Sequence, residues 1–138
     1  MSPKEECEIL LSELLPFGQS LLKKNNEFYP YAAVMNTDST TKMLAFYDGN
    51  EFPDSNELIG SFTKICRQSA ENGEIKVSGI AWNGSIAVDN DKKVDAIVVS
   101  LEHRAAYSAL IALPYKKGLF NKYTFGDITA MEGKRDIF

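Results

Sequence analysis

The single histidine, His103, stands in the run Leu101-Glu102-His103-Arg104, and a carboxylate, an imidazole and a guanidinium in succession are the groups that acid–base chemistry would use. Their spacing argues against a joint site. The segment Val94 to His103 alternates strictly, and successive side chains of a strand point to opposite faces. Ala96, Val98, Ser100, Glu102 and Arg104 should therefore share one face, and Ile97, Val99, Leu101 and His103 the other. A strand-end ion pair between Glu102 and Arg104, with His103 hydrogen-bonded separately, accounts for the run without catalysis. The competing reading is a cleft at the strand ends where Glu102, His103 and Arg104 meet Tyr29 or Tyr115.

Other chemistries find less support. Cys7 and Cys66 each fall on the apolar stripe of a helix-patterned segment, where a free thiol packs as a small hydrophobe, so neither a disulfide nor a Cys66/His103 dyad is expected. There is no G-x-S-x-G elbow and no phosphate-binding glycine loop. One histidine and two distant cysteines make no zinc set, and Asp89-x-Asp91-x-x-x-Asp95 lacks the glycine and distal glutamate of a calcium loop. No catalytic residue, metal or cofactor is expected.

Fifteen Lys and Arg against nineteen Asp and Glu leave a formal charge of −4, which disfavours nonspecific nucleic-acid binding. The pairs Lys23-Lys24, Lys92-Lys93 and Lys116-Lys117 read as solvated turn charges without a ligand. Lys4, Glu5, Glu6, Glu8 and Glu13 interrupt the opening leucines, unlike a secretory signal, and the longest apolar runs fall short of a membrane span. A cytoplasmic protein with no membrane partner fits these features.

A chain of 138 residues suits a single domain, 1–138. Ser2-Pro3-Lys4-Glu5 is a capping-box start, followed by Cys7, Leu10, Leu11, Leu14 and Leu15 at helical spacing; Pro16 and Gly18 should end or kink that helix. Glu27 to Thr37 and Lys42 to Tyr47 read as a hairpin, with Pro30 at a strand start or edge and Asp48-Gly49-Asn50 as the closing turn. Asp54 should cap a second helix whose apolar face runs Leu58, Ile59, Phe62, Ile65, Cys66 and Ala70, stopping at Gly73. Four strands follow: Ile75 to Val88, in which Asn83-Gly84 is a hairpin-turn signal but one long strand with a bulge near Gly79 or Gly84 fits better, then, after a turn at Asp89-Asn90-Asp91, Val94 to His103, Ala106 to Tyr115, and Phe120 to Ala130. Ile137 and Phe138 should pack at the sheet edge. The order α-β-β-α-β-β-β-β with hairpin-length connections implies an α+β fold, an antiparallel sheet with both helices on one face.

Most of the aromatics Phe28, Tyr29, Tyr31, Phe46, Tyr47, Trp82, Tyr107, Tyr115, Tyr123 and Phe125 must be core, but such a sheet would leave its other face open, and a tyrosine-rich open face is a good contact surface. This favours a non-enzymatic domain that binds a protein partner or self-associates, for instance as a homodimer. The segments Glu27-Phe28-Tyr29-Pro30-Tyr31-Ala32, Asp95-Ala96-Ile97, Leu101-Glu102-His103-Arg104, Pro114-Tyr115, Phe125-Gly126 and Ile137-Phe138 together resemble a set of small, single-domain, cytoplasmic bacterial proteins. Ala32 stands where glycine is common among them. The resemblance spans nearly the whole chain and brings no activity with it; in size and acidity some of that set are similar to immunity proteins of bacterial toxin systems.

Overall fold

Ser2 starts the first helix as its sequence requires: its hydroxyl accepts from the Glu5 N–H at 3.1 Å, and the Glu5 carboxylate accepts from the Ser2 N–H at 3.3 Å. In the computed structural model, which describes residues 1–44, 53–88 and 92–138, this helix, α1, runs Pro3–Asn25 straight through Pro16. Proline removes one donor and orphans the Ser12 carbonyl, but Pro16 and Ser12 both face solvent, where water can serve the freed group. Gly18, expected to help stop the helix, instead faces the sheet. A Cβ there would lie 2.6 Å from the Tyr31 hydroxyl, which donates to the Leu14 carbonyl at 2.5 Å. The stretch from Gln19 to Lys24 is therefore helix, and the chain turns at Asn26, with φ 63°.

Pro30 immediately precedes β1 (Tyr31–Asn36), which pairs antiparallel with β2 (Thr41–Leu44) and with β3 (Ile75–Val88). The expected turns Asp48-Gly49-Asn50 and Asp89-Asn90-Asp91 lie outside the described residues. Helix α2 (Ser55–Glu71) is capped by Asp54, whose carboxylate accepts from the Glu57 N–H at 3.1 Å, and Gly73, at φ 69°, turns the chain into β3. Strands β4 (Lys92–His103) and β5 (Tyr107–Lys117) continue a meander. The short β6 (Tyr123–Phe125) and β7 (Thr129–Glu132) both pair with β5, giving the order β2-β1-β3-β4-β5-β6. No helix among the described residues is long and apolar enough to cross a membrane.

The α+β class and the element order hold, with local corrections. Asn83-Gly84 is neither turn nor bulge, since β3 and β4 pair one to one from Val77↔His103 to Val88↔Lys92. The irregularity sits at Lys76, where Met35↔Val77 gives way to Asn36↔Ile75 and β3 carries one extra residue. The expected last strand is divided into a 3-10 turn (Leu119–Asn121), β6 and β7. Pro114 offers no N–H to the ladder there, and its carbonyl instead accepts from Gly126 at 2.9 Å.

The helices do not share a face; they cover opposite ones. Ala33 and Met35 of β1 lie in the core of α1, together with Leu10, Leu14, Leu22, Ile97, Val99 and Leu101. Ala32 and Val34 lie in the core of α2, with Leu58, Phe62, Cys66, Ile80 and Ile137. Five consecutive residues of β1 are buried, so this strand demands cover on both sides. The tyrosine-rich open face is accordingly absent, because Tyr115, Tyr123 and Phe125 pack against the α1 core. Helix α1 lies close over Gly79, where an added Cβ would collide with Leu14 and crowd Leu10 and Leu101. Gly79→Ala should therefore cost about 1–3 kcal/mol by overpacking. An unchanged urea midpoint for this variant would contradict that packing.

Candidate functional site

Glu102 and His103 leave β4 on opposite faces, as strand alternation requires. Arg104 is exposed and makes no ion pair with Glu102; its backbone N–H donates to the Lys76 carbonyl at 3.0 Å. Tyr29 is exposed ahead of β1. Tyr115 sits at the far end of β5 from the Tyr107↔His103 pair, its hydroxyl donating to Asn83 Oδ1 at 2.6 Å. The five residues do not converge. Cys66 belongs to the α2 core and His103 lies under α1, so the sheet separates that pair as well. Cys7 and Cys66 are free and buried, and burial pushes both thiols up to about 12.

His103 instead joins a buried network that alternation alone could not disclose. The bulge at Lys76 breaks the alternation of β3, and the Lys76 ammonium pairs with Glu6 Oε2 of α1 and donates to the Ser39 hydroxyl at 2.7 Å. The Ala105 N–H donates to His103 Nδ1 at 2.9 Å, which leaves the ring proton on Nε2, 2.9 Å from Glu6 Oε1. Hydrogen bonds from Lys76, then from His103, hold the Glu6 carboxyl below its ordinary value. Both Glu6 oxygens and both His103 nitrogens are occupied, so this cluster ties α1 to the sheet. Glu6 adjoins the stripe residue Cys7, and that adjacency was the one signal in the sequence.

The opposite face of the same strands carries a cleft of about 300 Å³ between α2 and the last residues of the chain. Glu102, 3% exposed, lies at one end and accepts from the Asp136 N–H at 3.1 Å and the Ile137 N–H at 3.0 Å. Arg67 of α2 donates to the Asp136 carbonyl through Nε at 2.9 Å and Nη2 at 2.6 Å. Residues 136 and 137 thus form a strap clamped from two elements, and Ile137 and Phe138 pack on the α2 core rather than at the sheet edge. Ser78, the strand partner of Glu102, lines the floor at 1% exposure. Ser100, opposite Ile80, also lines it; Trp82, Ile80, Ile59 and Leu110 supply its apolar part, and Asn56, Thr63, Lys134 and Asp136 add further polar groups. The cleft therefore has a hydroxyl and carboxylate end and an aromatic end.

Among the described residues no three His, Cys, Asp or Glu side chains gather to hold a metal ion. Comparison with protein-family models, curated proteins and solved structures finds no match to the chain.

Proposed function

We propose that the protein is a non-enzymatic binding domain and that the α2-side cleft is its binding site. The ligand class that fits is a small molecule with an amine or amide head and an apolar body. The head would donate to the Glu102 carboxylate, whose two oxygens keep acceptor capacity beyond the strap amides, and would meet the hydroxyls of Ser78 and Ser100. The body would lie on Trp82, Ile80 and Leu110. The observation that carries this reading is Glu102: a buried carboxylate that lines the same cleft as Ser78 and Ser100 and as the apolar Ile80, Trp82 and Leu110 offers a ligand donor a fixed acceptor beside an apolar bed.

Trp82 is the one tryptophan of the chain, so its emission reports on this cleft directly. A panel of small amines and amides bearing apolar groups should contain compounds that shift Trp82 emission and raise the melting temperature together. Ser78→Val should abolish both responses while the apoprotein keeps its fold. A panel that moves neither observable, or a Ser78→Val variant that binds as well as wild type, would remove the cleft from consideration.

A further inference from the structure

The three lysine pairs that the sequence scatters are brought to one end of the molecule. Lys23 and Lys24 end α1, and the Lys23 ammonium lies 5.9 Å from the ring centroid of Phe125 in β6. Asn26, the cap of that helix, accepts from the Tyr123 hydroxyl at 3.1 Å. Lys92 and Lys93 begin β4, and the antiparallel pairing of β4 with β5 brings that end of the strand alongside Lys116 and Lys117. Lys122 closes the β5–β6 hairpin.

At the tip of that hairpin stand the two most exposed large hydrophobic side chains among the described residues, Leu119 at 82% and Phe120 at 92%. Phe120 and Asn121 both hold left-handed backbone angles, with φ 59° and 57°, a conformation that a bulky residue rarely adopts. The chain therefore keeps a leucine and a phenylalanine in water on a short turn flanked by Lys116, Lys117 and Lys122, although the molecule as a whole is acidic.

We propose that this end docks on a lipid bilayer bearing anionic headgroups, with Leu119 and Phe120 entering the interfacial region and the surrounding lysines meeting the headgroups. The two chemistries match the two layers of such a surface: apolar burial and cationic attraction act over the same few residues. A nucleic-acid backbone would use the lysines but give Leu119 no apolar environment. Glu27 and Asp95 temper the local charge, so apolar insertion must supply much of the binding.

The test is co-sedimentation of the full chain with phosphatidylcholine vesicles containing, or lacking, roughly a third phosphatidylglycerol. Binding is expected to the anionic vesicles, weak on phosphatidylcholine alone and weakened by salt. Leu119→Ser/Phe120→Ser should lower the partition coefficient by about tenfold or more with the melting temperature unchanged, since neither side chain is packed. Lys116→Gln/Lys117→Gln should weaken binding and flatten its salt dependence. No sedimentation with anionic vesicles would overturn the proposal. So would vesicle binding that the serine variant retains, or an oligonucleotide that competes for the same lysines and binds the serine variant as well as wild type.

Discussion

Replacing Glu6 by leucine should destabilise the fold by about 3–5 kcal/mol, because the Lys76 ammonium would be left buried with only the Ser39 hydroxyl for company. Against a usual total of about 5–15 kcal/mol for a domain, that loss brings the variant near its unfolding threshold. Adding Lys76→Met should recover much of it by removing the stranded charge. Urea unfolding of the two variants measures both effects, and a Glu6→Leu cost below about 1 kcal/mol would mean that Lys76 finds water freely. Acid produces the same loss reversibly. The Glu6 carboxyl is held below its ordinary value of 4.5, so its stabilisation is complete above that pH and is lost as pH falls through the lower folded value. Wild type should therefore lose stability below about pH 4.5 more steeply than Glu6→Leu does.

Glu102→Leu should cost about 2–4 kcal/mol, since the Asp136 and Ile137 N–H groups would lose their acceptor where the strap is held against the sheet. The effect depends on the strap itself. In a chain shortened to end at Arg135, the same substitution should change stability by less than about 1 kcal/mol, because no amides remain to be served. Equal costs in the two backgrounds would show that Glu102 acts through something other than residues 136 and 137.

The sequence is most informative where one residue decides the outcome locally. Ser2 with Glu5, Asp54 with Glu57, and Gly73 mark helix ends because capping is settled within one turn. Strand alternation likewise separates Glu102 from His103. Pro16 misleads because the consequence of its missing N–H depends on whether that side of the helix meets water, which is a tertiary fact. The same holds for the two helices: five consecutive buried residues in Tyr31-Ala32-Ala33-Val34-Met35 already speak for cover on both faces, but nothing local says which helix supplies which. The candidate cleft was legible only through Glu102; Ser78 and Ser100 look like ordinary strand serines until α2 and the strap rise around them. Each lysine pair, taken alone, is surface charge, and only the antiparallel meander and the direction of α1 bring them together.

The division of Glu102 and His103 between two cores also bears on how the sheet avoids misalignment. A slip of β4 by one residue against β3 would turn every β4 side chain to the other face. Glu102 would then be delivered beneath α1, toward the carboxylate of Glu6, while the strap would lose its acceptor and Lys76 would lose a neighbour in its network. Apolar residues such as Ile97 and Val98 would tolerate such an exchange, because both faces of β4 are greasy. The adjacent acid and imidazole do not. In this sheet the pair that most resembles catalytic machinery serves as a registration mark, making one alignment of β4 far better satisfied than its nearest competitors.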